Sequence, residues 1–320
     1  MSSAAGALAR FACLLLALAC ASAHASAPLA VAPGVFVLMG RDGEISPDNL
    51  GRIANIAFIV GPRGVVVVDS GVSFRQGEAI IAAVRRVTRR PIRLVVMTHA
   101  SREVVFGAAA FQAHGIPVWM HAAAAALMAS RCDACLTGLA ETLGAEAMAG
   151  SRVVAPDRLV AGTLLLDVIG RPLMVVAPAQ GSAPGAIAVF DVATRTLIAG
   201  TLVSIDRVPD MHDASGPWRG ALAMLAATHC VHLIPAYGRV GSCADIDGIE
   251  RYFAALEQRV RELLAADVGL AELPARCDLP EFSAWGRYGA LHVGNASREY
   301  LRMERASFKD RDWKPTGVKD

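Results

Sequence analysis

His99 is the residue of this chain best placed to do chemistry, with Ser101 and Glu103 within four positions of it. An imidazole, a hydroxyl and a carboxylate in one short segment can ligate a cation or move a proton. The two chemistries make different demands. A zinc ion that activates water at neutral pH needs about three or four imidazole and carboxylate donors. One His, one Glu and nearby hydroxyls fall short, because hydroxyls are poor zinc ligands. No cofactor is therefore expected, and zinc stays open only through His99. Proton transfer asks for less, with His99 as general base. A hydrolase without a Lewis acid must still replace several kcal/mol of charge stabilisation with oriented donors. The chain has no Gly-x-Ser-x-Gly turn to build a nucleophile, so ligand binding is favoured over catalysis.

Other histidines do not rescue a metal. His114, His121, His212, His229, His232 and His292 form no close pair with His99. His229 and His232 are three apart, but residues 231–235 read as a strand, which turns them to opposite faces. His121 opens an alanine-rich helix and reads as a capping or surface residue. Cys132 and Cys135 make a Cys-x-x-Cys pair on or beside a helix. Without a thioredoxin-like strand before it, a local disulfide between Cys132 and Cys135 is expected ahead of a redox role.

The elements around His99 are those of an α/β sheet. Residues 65–68 are an apolar run closed by Asp69-Ser-Gly71, a buried strand with Asp69 at its C-terminal mouth. Residues 76–89 carry Ile80, Ile81, Val84 and Val87 at helical spacing. Pro91 ends that helix, and residues 92–98 form the next strand, which delivers His99 to a loop at the same edge. Strand–helix–strand units place their sites at such edges, and Asp69 is positioned to support or orient the loop. Further on, short strands at 164–168, 173–177, 186–190 and 196–199, separated by Gly, Pro and Asp turns, read as a second half-sheet. Helices follow at 218–228, at 246–266 and in the later part of 288–304.

Composition narrows the function classes. A chain of 320 residues with 54% hydrophobic content can bury a large core. Its formal charge of +2, with no Lys/Arg cluster interleaved with aromatics, argues against nucleic acid. Residues 1–25 have the form of an export signal: Arg10, an apolar run from Phe11 to Cys20, and Ala23-His-Ala25 at the cleavage position. The run is short for a membrane span, so a periplasmic product with no membrane attachment after cleavage is expected. Cys132, Cys135, Cys230, Cys243 and Cys277 remain after it. In an oxidising compartment some of these five pair, and the odd count leaves at least one thiol over.

Taken in order and spacing, residues 55–61, 67–71, 91–99, Cys132-x-x-Cys135, 198–200, 207–209 and 234–238 resemble the metallo-β-lactamase fold superfamily. More narrowly, the chain resembles the quinoprotein relay system zinc metallohydrolases. The resemblance implies an αββα fold, a four-layer sandwich of two mixed β-sheets with helices on the outer faces. It places that domain at 26–248 and a helical C-terminal extension, packed on the core, at 249–320. The family's metal-ligand positions fall on His99, Ser101, Glu103, Val104, Ser182, Thr201 and Tyr237, and His99 alone keeps a ligand. These positions, with Asp69 below them, should meet at one edge of the sandwich. Three functions are compatible with this pattern. One is an exported pseudoenzyme that binds a small molecule or a partner. Another is a hydrolase with one metal or none, using His99 with help from Ser101, Ser182 or Tyr237. The third is an accessory protein of a periplasmic pyrroloquinoline quinone (PQQ) dehydrogenase or a cytochrome.

Overall fold

The computed structural model describes residues 27–212 and 215–312, and the expected export signal at 1–25 lies outside them. Seven strands form the first sheet in sequence order: β1 (Leu29–Ala32), β2 (Val35–Leu38), β3 (Ile56–Gly61), β4 (Gly64–Val68), β5 (Ile92–Met97), β6 (Val118–His121) and β7 (Arg158–Val160). Pairing is antiparallel from β1 to β4 and parallel from β4 to β7. The second sheet has the order β12-β11-β10-β9-β8, from β8 (Leu164–Leu166), β9 (Leu173–Val176), β10 (Ala188–Asp191), β11 (Thr196–Ser204) and β12 (His232–Tyr237). There only β11 and β12 run parallel. Both sheets are therefore mixed, as the αββα expectation requires.

The apolar run in β4 reflects burial on both faces. Val66 and Val68 point inward, where they join Ile59, Leu94 and Val96 against Val175, Val189, Ile198 and Ile234 of the second sheet. Val65 and Val67 point outward with Val95 and Met97 and meet Ile80, Ile81 and Val84 of helix α1 (Phe74–Val87). Alternation along a strand thus supplies two cores at once. Helix α1 starts two residues before the periodicity suggested, because the Ser73 hydroxyl accepts from the Gln76 amide and caps it. It ends at Val87, and Thr88 after it has an extended backbone, three residues before Pro91. After α2 (Ala108–Ala113), helix α3 (Ala122–Leu143) is capped by the His121 ring, whose Nδ1 accepts from the Ala123 amide. His121 is thus the capping residue expected of it.

A third core covers the outer face of the second sheet. Leu197, Leu202, Val203 and Leu233 pack there beneath Trp218 of α5 (Ser215–Ala226) and Phe253 and Leu256 of α6 (Ile246–Ala265). The short α4 (Ala145–Met148) and α7 (Leu273–Arg276) precede α8 (Tyr288–Asp312), which adds Ala296 and Tyr300 to the same core. The boundary drawn between residues 248 and 249 falls inside α6, and the helices on either side of it share this one core.

The cysteines correct the sequence expectation. Cys132 and Cys135 are free, and the disulfide joins Cys230 to Cys243. Cys132 and Cys135 sit on successive turns of the unbroken α3, with Cys132 facing the core at 2% exposure. Burial pushes the Cys132 thiol up to about 12, and Cys135 beside it adds to the shift. That opposes the thiolate that disulfide chemistry requires. Cys230 and Cys243, by contrast, are held close by the pairing of Leu233 with Gly241 across the intervening turn.

Candidate active site

The ends of β4 and β5 deliver a hydrogen-bonded chain of three residues. Asp69 follows β4 with φ 68° and is tied to β5 by its amide, which donates to Val96 O at 2.9 Å. Its carboxylate accepts from the Thr98 amide at Oδ1 (2.8 Å) and from the Thr98 hydroxyl, which lies 2.8 Å from Oδ2 and 3.0 Å from Oδ1. Thr98 Oγ1 also lies 2.7 Å from His99 Nδ1. A threonine hydroxyl has one hydrogen, and Asp69 takes it. His99 Nδ1 must then donate, which leaves the Nε2 lone pair bare. His99 is 2% exposed, and its Nε2 has no hydrogen-bond partner among the described residues. Burial pushes the Asp69 carboxyl above its ordinary range, against the pull of His99 and of the two Thr98 hydrogen bonds. Gly200 makes room for this arrangement: its φ is 52°, and a Cβ there would stand 2.5 Å from Thr98 Oγ1.

The loop after His99 is fixed through its backbone. Ser70 donates to Val104 O through both amide (3.0 Å) and hydroxyl (2.5 Å), and the Gly107 amide donates to Gly71 O at 2.9 Å. Gly107 permits that approach, since a Cβ would fall 1.8 Å from Ser70 O. The Val104 side chain is wholly buried in the α1-side core, so at this position the loop turns a methyl group inward and offers the site no donor.

Glu103 points the other way. The residue is 8% exposed, and its carboxylate accepts from the Ser101 hydroxyl at 2.5 Å and, through its other oxygen, from the Tyr237 hydroxyl at the end of β12. Burial would raise this carboxyl, but the bonds from Ser101 and Tyr237 and the proximity of His99 outweigh it and hold the group below its ordinary range. Tyr237 is pushed well above its ordinary value by burial and by Glu103. The Arg207 guanidinium lies 4.3 Å from the Tyr237 ring centroid and 3.5 Å from Asp42. Asn55 fixes the end of β12, donating to Pro235 O and Gly238 O at 2.9 Å each. Across the site, Ser182 Oγ and Thr201 Oγ1 are 2.9 Å apart.

His99, Ser101, Glu103, Ser182, Thr201 and Tyr237 line one cavity of about 530 Å³, although they come from segments up to 138 positions apart. Asp69 lies behind His99, and Val104 is turned away. The cavity also takes in Cys132, Cys135 and His212, and four arginines stand around it: Arg102, Arg131, Arg207 and Arg287. Arg287 pairs with Glu44 and Arg207 with Asp42, while Arg102 and Arg131 have no partner among the described residues. Sequence reasoning missed Thr98, Asn55 and the arginines. Thr98 had a usable signal, a hydroxyl between a buried Asp and a His. Arg287, which stands just before α8, had none.

The donor set does not fit a zinc pair. His99 offers one nitrogen, Glu103 is one carboxylate that already accepts from two hydroxyls, and the Val104 position has no donor. Among the described residues no three His, Cys, Asp or Glu side chains are grouped to hold a metal.

The comparisons with known proteins agree with the fold. No curated protein matches the chain. A metallo-β-lactamase from Pontibacter korlensis superposes with a TM-score of 0.56 at 16% identity, covering 70% of this chain and 96% of that one. One from Hirschia baltica gives 0.56 at 18% identity, covering 71% and 96%. The mono-zinc form of FIM-1 from Pseudomonas aeruginosa gives 0.55 at 17% identity, covering 71% and 93%. At such identities the likeness speaks for the fold alone. The family described as the metallo-beta-lactamase superfamily matches residues 50–261, a stretch that holds β4, β5, the His99 loop and the whole second sheet, and the chain therefore belongs to that superfamily.

Proposed function

We propose that this chain is a ligand-binding member of the superfamily whose cavity works without the dinuclear zinc centre. The observation that carries this reading is the state of Glu103: one oxygen accepts from Ser101, the other from Tyr237. A cation there would share Glu103 with those two hydroxyls and would gain the His99 nitrogen beside it, short of the roughly three or four imidazole and carboxylate donors per zinc. The test is metal content and zinc titration by calorimetry on the purified protein, with His99→Ala beside it. No saturable zinc uptake is expected in either protein. Uptake of about one equivalent, lost in the variant, would overturn the reading.

A second reading has its own observation. The Asp69–Thr98–His99 chain leaves an imidazole nitrogen free to accept a proton, which is the arrangement of a general base. Under that reading His99→Gln, which keeps a polar side chain at this buried position, abolishes turnover of an ester or amide substrate while circular dichroism shows the fold retained. An inactive wild-type protein across such substrates excludes it. We also propose that the protein is exported and serves a periplasmic PQQ dehydrogenase or cytochrome. The form of residues 1–25 and the resemblance to the quinoprotein relay group support this. Capture of such a dehydrogenase or cytochrome from periplasmic extract by the tagged protein is expected, and its absence at repeated pull-down would count against the role.

A further inference from the structure

We infer that the cavity binds a small hydroxy acid, its hydroxyl donating to His99 Nε2 and its carboxylate held by Arg102 and Arg131. This deepens the ligand-binding reading and rests on it. The inner end of the cavity is rich in acceptors. His99 lines the cavity, and its Nε2 is buried with no partner among the described residues. The tautomer set by Thr98 and Asp69 makes it an acceptor, so it calls for a ligand O–H or N–H. The same end holds Glu103, with the Arg207 guanidinium already close by over the Tyr237 ring. A ligand ammonium there would add a second cation beside Arg207, whereas a hydroxyl brings the needed hydrogen without charge.

The mouth has the opposite character. Arg102, on the His99 loop, and Arg131, on α3, are exposed and unpaired among the described residues, whereas Arg207 and Arg287 have acidic partners. Guanidinium groups match carboxylates in geometry and charge. Asp210 and Glu44 at the same rim disfavour a dianion and leave room for a monoanion. A cavity of about 530 Å³ is of small-molecule size.

The probes are glycolate, 4-hydroxybutyrate and 6-hydroxyhexanoate, three lengths that sample the span, each paired with acetate, butyrate or hexanoate and with the matching ω-amino acid. Binding is followed by calorimetry on the whole purified protein. One hydroxy acid should bind at least about tenfold tighter than its deoxy parent. That preference should vanish in His99→Phe, which keeps an aromatic ring at the site and removes the acceptor nitrogen. Arg102→Ala with Arg131→Ala, both surface changes, should weaken hydroxy acid and parent alike by about tenfold or more. No binding at any length, equal binding of the parents, preference for the amino acids, or indifference to the arginine changes would each overturn the inference. Zinc titration of the same samples separates the two levels: stoichiometric zinc uptake overturns the ligand-binding reading, while no uptake with no hydroxy-acid binding overturns this inference alone.

Discussion

Asp69→Asn is the perturbation with the sharpest consequence. The change is nearly isosteric and keeps one oxygen to accept from the Thr98 amide, as Oδ1 does now at 2.8 Å. It replaces the other oxygen, which accepts from the Thr98 hydroxyl at 2.8 Å, with an NH₂ donor. Thr98 Oγ1 then becomes an acceptor toward residue 69, and its hydrogen turns to His99 Nδ1, 2.7 Å away. The imidazole proton must move to Nε2. A ligand hydroxyl can turn and accept from the new N–H, whereas a ligand that offers only a donor there loses a buried hydrogen bond worth about 1–3 kcal/mol. At 1.4 kcal/mol per decade, that is roughly 5- to 150-fold in affinity.

Long-range ¹H–¹⁵N correlation of the histidine rings, recorded at about pH 8.5 where an ordinary imidazole is neutral, reads the tautomer directly. His99 should carry its proton on Nδ1 in the wild type and on Nε2 in the variant. Stability supplies a second readout. Burial raises the Asp69 carboxyl above its ordinary 3.8. The folded protein therefore holds that proton more firmly than the unfolded chain, and its contribution to stability falls as pH rises from 3.8 toward the raised value. Asn has no such dependence, so the melting temperature of the variant relative to wild type should climb with pH across that window. A wild-type His99 protonated on Nε2, or the same tautomer in both proteins, would refute the reasoning.

Glu103→Gln tests the opposite sign. Its carboxyl is held below the ordinary 4.5 by Ser101, Tyr237 and His99 against burial, so its contribution is present above 4.5 and lost as pH falls through the depressed value. The variant should lose about 1–3 kcal/mol at neutral pH by urea denaturation and show a flatter acid limb. Equal acid limbs would contradict the assignment. Gly200→Ala sets a Cβ 2.5 Å from Thr98 Oγ1 at φ 52° and should cost about 1–3 kcal/mol. Gly138→Ala on α3, where a Cβ meets nothing within 4 Å, should gain roughly 0.5–1 kcal/mol. Thermal unfolding of the pair checks both signs. Reduction of Cys230–Cys243, which closes a loop of 13 positions, should cost about 3 kcal/mol. Cys132, with its thiol pushed up to about 12, should resist alkylation in the native protein, as mass spectrometry would show.

The two-sheet fold was legible because its signals are local. The valine run of β4, the Ile80, Ile81 and Val84 stripe of α1 and the turns between the later strands each fall within some 15 residues of chain. Chain order then carried Ser182, Thr201 and Tyr237 to the same edge as His99. What could not be read is long-range. The Tyr237 hydroxyl meets Glu103 across 134 positions and the Asn55 amide meets Gly238 across 183, and no periodicity encodes such pairs. The cysteines failed for a related reason. A Cys-x-x-Cys spacing is conspicuous in sequence, yet a continuous helix buries one of the thiols, while the true pair is brought together by a turn that only the register of Leu233 with Gly241 defines.

The exchange of donors at this edge has an electrostatic logic of its own. A buried carboxylate must be neutralised or fully hydrogen-bonded to remain ionised. Glu103 takes the second course, with two hydroxyls that bring hydrogens and no formal charge, and the nearby positive charge is Arg207, displaced to the face of the Tyr237 ring. The carboxylate is thus satisfied from inside the protein, whereas His99 Nε2, a few residues earlier on the same loop, is not. Of the two groups that sequence alone marks for chemistry, one is spent holding the loop to β12. The other, at a buried position that lines the cavity, keeps an Nε2 with no partner among the described residues, and on that asymmetry the proposed ligand-binding role rests.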